Sequence, residues 1–256
     1  MKSFVMKVLG VPVRPRQKTL SAQASHWLNW AFFALFSAFI ILHLFPTIVF
    51  RHNMTAHGIT VHSRSPLPPA ADAVLAKAAA LVSTSELAVA GNKADVFVAD
   101  APWVYWLFRP FKSSFAVSVP WTGNVFIANG DFEANIARSR NVTFNTRALS
   151  GVIAHEITHG FIFRRIGVID SLLAPLWVTE GYCDYVAKEG SFPEQQGISL
   201  LAAGRTDPSA SFQYFVGRQL VAYLIEQKKM SFENIAQTAM QSPDLRTNTA
   251  AEMAKR

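Results

Sequence analysis

The chain predicts an α+β protein: an N-terminal transmembrane helix, then a small domain with a mixed sheet and a mainly helical C-terminal part. Three observations carry this. Residues 27–50 hold no charged side chain and are dominated by Phe, Leu, Ile and Ala. Three short β-like runs, 94–99, 114–119 and 124–128, are bounded by turn residues. From Leu149 onward the apolar residues recur at helical spacing.

The first 26 residues form a basic tail with Lys2, Lys7, Arg14, Arg16 and Lys18 and no acid. The apolar run that follows is long enough to cross a hydrocarbon core at about 1.5 Å per residue. Trp27 and Trp30 suit one interface. By the positive-inside rule the tail is cytoplasmic and the rest lies outside. The bacterial inner membrane, with the body in the periplasm, is the expected location. A cleaved signal peptide fits less well, because the charged region and the apolar core are both too long.

This topology accounts for the charge. The chain has 24 basic and 17 acidic residues. Beyond residue 50 there are 19 basic and 17 acidic, so the body is nearly neutral and gives no electrostatic case for nucleic-acid binding. One cysteine, Cys183, excludes an internal disulfide. It is expected to pack as a small apolar side chain.

Residues 51–69 hold three prolines, with Ser and His, and read as a stalk in which His52, His57 and His62 are solvated. Residues 70–256 are one domain of ordinary size. It should open with an alanine-rich helix over 71–82 and place the three strands next. Helices follow around 150–166, 177–185, 211–225 and 231–241. Asn145 or Thr143 is expected to cap the first of these, and Gly167 to end it. The run 161–178 is apolar, but Arg164, Arg165 and Asp170 argue against a second span.

The chemistry concentrates in His155-Glu156-Ile157-Thr158-His159. Residues i and i+4 share one helix face, so both imidazoles reach one metal ion. Glu156 lies about 100° round the helix, beside the metal, where it can take a proton from a bound water. The flanks are mostly apolar, and polar groups buried in such a helix need partners. A third histidine in the H-x-x-G-x-x-H continuation is excluded, because Ile162 and Arg165 stand there. Glu180 in Trp177-Val178-Thr179-Glu180-Gly181 is then the best third ligand, and Asp184 at i+4 could accept the N–H of a ligand histidine. Asp170 is a rival in the connecting loop.

The pattern H-E-x-x-H, a gap of about twenty residues, then W-x-x-E-G-x-x-x-Y resembles the gluzincin branch of zinc metallopeptidases. These are the thermolysin-like and aminopeptidase-like enzymes and their small relatives. The resemblance spans Leu149 to Tyr185, with a weaker echo to about Gln227. It implies a zincin-like domain with one Zn2+ per chain held by His155, His159 and Glu180, with Glu156 as base and Asp184 orienting His155. It implies a membrane-anchored enzyme that hydrolyses peptide bonds in peptide or protein substrates. Tyr214 is the first choice as donor to the developing oxyanion, with Arg218, Tyr182, Tyr185 and Tyr223 as competitors. The segment 124–129 is expected as the sheet edge that pairs with substrate. There are two departures. No G-x-M-E-N motif precedes the helix, so an exopeptidase role is unsupported, and Thr179 stands where several families have Asn. A zinc hydrolase of another amide or ester, or a catalytically silent anchored scaffold, are the alternative readings.

Overall fold

The computed structural model describes residues 7–8, 11–12, 22–89, 91–109, 114–139 and 144–254. The chain divides into two compact units, Met1–His43 and Leu44–Arg256. In the first, the two-residue strands β1 (Lys7–Val8) and β2 (Val11–Pro12) pair antiparallel. They precede α1 (Ala22–Leu44). Its stretch from Ala24 to Leu44 is 21 residues long, with an 18-residue window of mean hydropathy 1.8, which is long and apolar enough to cross a membrane. Trp27, Phe32 and Leu35 are exposed along it.

The helix stops earlier than the expected span of 27–50. Phe45 and Pro46 break it, a 3-10 turn follows over Pro46–Ile48, and Phe50 is buried in the second unit.

The second unit opens with β3 (His52–Ala56) and β4 (Ile59–Ser63), joined by a two-residue turn. His57 (φ 53°) and Gly58 (φ 78°) both take left-handed backbone, the pattern of a type I′ hairpin turn. The stalk expected over 51–69 is therefore wrong over its first part. Val61 is fully buried, and His62, expected in solvent, is buried too. The three prolines misled, because they all fall after the hairpin.

Next come α2 (Ala70–Val82), β5 (Ala94–Val98), α3 (Pro102–Phe108), β6 (Ala116–Ser118) and β7 (Val125–Ile127). The sheet order is β3-β4-β5-β7-β6, with β4, β5 and β7 parallel and both outer strands antiparallel to their neighbours. Side chains alternate across it. One face presents Val61, Val96, Val98, Val125 and Ile127 to Val74 and Leu75 of α2 and to Leu149, Ile153 and Ile157. The other face stacks Phe97, Phe126 and Phe108 with ring centroids 5.1 and 4.4 Å apart, and Phe50 joins them. Each such side chain contributes about 1.5–3 kcal/mol when fully buried.

A second small antiparallel sheet follows, β8 (Gly130–Asp131), β9 (Ile136–Arg138) and β10 (Thr146–Ala148), in the order β10-β9-β8. It feeds directly into α4 (Leu149–Ile166). The remainder is helical: α5 (Val168–Leu173), α6 (Leu176–Ala187), α7 (Glu194–Ala202), α8 (Ala210–Glu226), α9 (Phe232–Gln241) and α10 (Leu245–Met253). Ser209 and Ser231 cap α8 and α9 by accepting the N–H of Phe212 and Asn234. Ile162, Val178, Tyr182, Leu220, Val221, Phe232 and Ile235 form their shared core.

Helices α6 and α8 touch backbone to backbone at Gly181 and Gly217. A Cβ on Gly181 would lie 2.6 Å from the carbonyl of Gly217, and one on Gly217 would lie 2.6 Å from the carbonyl oxygen of Trp177. This contact fixes the height and rotation of α6 and hence where its carboxylates point.

Candidate metal centre

Helix α4 begins on neighbours rather than on a cap of its own. Asn135 accepts the N–H of Leu149 with its carbonyl and that of Ser150 with its side-chain oxygen, at 3.0 and 2.9 Å. The expected cap, Asn145, instead accepts from the Thr146 hydroxyl, and Thr143 lies outside the described residues. Gly167 ends the helix as expected, at φ 84°.

The i, i+4 spacing brings His155 Nε2 and His159 Nε2 to 3.2 Å. Glu180 on α6 faces both, with Oε2 3.3 Å from His155 Nε2 and Oε1 3.5 Å from His159 Nε2. Zinc binds imidazole nitrogen and carboxylate oxygen at about 2.0–2.2 Å. Tetrahedral geometry then sets donor atoms about 3.3–3.6 Å apart, close to these separations, with a different Glu180 oxygen facing each imidazole. His155 and Glu156 are buried, while His159 keeps partial access to solvent.

Cys183 also approaches, its sulfur and the two imidazoles lying within 4.8 Å of one another. Two facts favour Glu180 over it. The Glu180 carboxylate faces both imidazoles, one oxygen 3.3 Å from His155 Nε2 and the other 3.5 Å from His159 Nε2. The thiol is fully enclosed, and burial pushes its pKa well above the ordinary value, which favours the protonated form that does not ligate.

Asp184, one turn beyond Glu180, accepts from His155 Nδ1 at 2.8 Å. That bond fixes the imidazole so that Nε2 points toward His159 and Glu180. Behind Asp184 lies Arg147 of β10, which sequence reasoning missed. Its Nη2 donates to Asp184 Oδ1 and its Nε to Glu189 Oε1, both at 2.9 Å. Glu189 was missed as well; its other oxygen accepts the N–H of Ala148 at 3.2 Å, where α4 begins. Both residues lie about forty positions from their partners in sequence, so no local pattern reveals them. The one available signal was an arginine directly before α4.

The electrostatics follow from burial and charge imbalance. Burial opposes charging of His155, yet Asp184 and Glu180 push its pKa up to about 10. Burial alone would raise Glu180, but the two imidazoles hold its carboxyl well below the usual carboxylate range. Asp184 is likewise held low against burial, chiefly by Arg147 and then by His155. Glu156 differs: burial raises its pKa above the ordinary value and dominates the neighbouring imidazoles. The cluster thus sets Asp184 and Glu189 on the Arg147 guanidinium, and Glu180 against the two imidazoles, with Glu156 beside them. Carboxylate oxygens and imidazole nitrogens enclosed together in this way are the donor types that a cation takes.

Tyr214 on α8 lies within electrostatic reach of Glu180 and Asp184. Its pKa is pushed up to about 12 by burial and then by Glu180 and Asp184. The competing donors are engaged elsewhere: Arg218 with Glu194 at 3.4 Å, Tyr182 with Ser85 at 2.8 Å and Tyr223 with Glu252 at 3.2 Å. Tyr105 of α3, also missed, shares a 2.9 Å bond with Ser114, and burial, with Glu156 adding to it, pushes its pKa up to about 12.

The expected substrate edge needs correction. β7, which holds most of 124–129, lies inside the sheet between β5 and β6, and the terminal strand is β6. Strand order depends on pairings that no local pattern encodes. The chain matches no protein-family model, no curated protein and no solved structure.

Proposed function

We propose that the protein is a zinc metallopeptidase of gluzincin type, an endopeptidase anchored to the membrane by α1. The observation that carries this reading is the convergence of His155, His159 and Glu180 at 3.2–3.5 Å, with Glu156 adjacent on the same helix. Zinc held there would supply a Lewis acid that polarises the scissile carbonyl and acidifies water. Glu156, its pKa raised by burial, takes the proton from the attacking water and passes it to the leaving amine. Tyr214 donates to the oxygen on which charge develops. Asp184 keeps His155 in one tautomer. β6 offers the outer edge of its sheet to an extended peptide.

The anchor crosses once, with the basic tail in the cytoplasm and the body in the periplasm. The experiment compares metal content and endopeptidase activity of the full-length chain with those of Glu156→Gln. About one zinc per chain is expected in both, with activity only in the wild type. Activity retained by Glu156→Gln in a clean preparation would overturn the mechanism.

A further inference from the structure

We infer that Arg147 is a positioning residue for the metal centre, acting on His155 through Asp184; this rests on the zinc reading above. Its side chain is 7% exposed and bridges two carboxylates with a rigid fork, Nη2 on Asp184 and Nε on Glu189, both at 2.9 Å. The planar guanidinium sets the angle between the two bonds, which an ammonium on a flexible stem does not. Asp184 is 1% exposed, and its Oδ1 receives both Arg147 and His155 Nδ1. Arg147 thus holds Asp184 in one orientation, and Asp184 aims His155 Nε2 at His159 and Glu180.

The backbone is shaped to admit this relay. A Cβ on Gly151 would fall 2.3 Å from Glu189 Oε1, and one on Gly190 would fall 3.0 Å from Asp184 Oδ2. Glu189 also holds the N–H of Ala148, next to Arg147 in the chain. The relay therefore couples the start of α4 to the segment after α6, so that both ligand-bearing helices are registered by one guanidinium.

The test measures zinc dissociation constants by chelator competition, with thermal melting alongside, on the full-length chain in detergent. The variants are Arg147→Lys, Asp184→Asn and the double. Each single change should weaken zinc binding about 10–100-fold in protein that is still folded. The double should be no weaker than the poorer single, since both act on one hydrogen bond. A lowered melting temperature with wild-type zinc affinity in Arg147→Lys would reduce Arg147 to a structural ion pair and overturn the inference. So would losses that multiply in the double. If Arg147→Lys does not fold, Glu189→Gln removes one support of the fork; reduced zinc affinity supports the inference and unchanged affinity overturns it. A wild-type chain that binds no zinc would overturn the metal reading itself.

Discussion

Two buried histidines in this protein pair with an aspartate at the same distance, 2.8 Å: His155 with Asp184 and His62 with Asp95. They differ in what surrounds them. Asp184 is 1% exposed and backed by Arg147, whereas the Asp95 side chain is 52% exposed. At His155 the aspartate uses Nδ1 and leaves Nε2 facing two more donors. At His62 the aspartate uses Nε2, the ring stacks on Phe97 at 4.5 Å, and Nδ1 is enclosed with no hydrogen-bond partner among the described residues. A histidine–carboxylate pair is therefore no site in itself. What makes one is the convergence of further donors on the other nitrogen, with charge arranged behind the carboxylate.

The sharpest way to break this contrast is to delete a converging carboxylate. Glu180→Ala should lose stoichiometric zinc, measured by metal analysis after dialysis, while Asp95→Ala should keep about one zinc per chain. Equal behaviour of the two would erase the distinction. A second test moves the helix rather than the ligand. Gly217→Ala places a methyl 2.6 Å from the carbonyl oxygen of Trp177, and overpacking of this kind costs about 1–3 kcal/mol. We expect a lower melting temperature together with weaker zinc binding, because α6 is displaced from α4. A melting shift with unchanged zinc affinity would show that the α6–α8 contact does not set the site. The smallest effect is expected at the other pair. His62→Phe removes an enclosed polar nitrogen and preserves the stack on Phe97, and Asp95 is exposed enough to be solvated. Thermal melting should show stability within about 1 kcal/mol of wild type, on the stabilising side. Strong destabilisation would mean that the His62–Asp95 bond holds the hairpin in place.

The candidate donors could be picked out because they stand at helical spacing. His155, Glu156 and His159 fall on one turn, and Glu180 and Asp184 on another. The α+β composition was legible for the same reason, from period-two runs followed by periods near 3.6. What escaped notice depends on pairings across the chain. Arg147 and Glu189 reach their partners only after β10 and the end of α6 are brought together. The edge strand proved to be β6 because β7 inserts beside β5, and nothing in either strand's own sequence says so. The hairpin at 52–63 is a different kind of miss. Its turn, His57-Gly58, carried the left-handed signal, and Ile59 and Val61 alternate, but the later prolines and the scattered histidines outweighed them.

The central claim is that two imidazoles and the Glu180 carboxylate, rather than Cys183, hold one metal ion. Zinc-edge X-ray absorption of the metal-loaded full-length chain tests it most directly. The account predicts only nitrogen and oxygen neighbours, at about 2.0–2.2 Å. A sulfur neighbour at about 2.3 Å would contradict it, placing Cys183 on the metal.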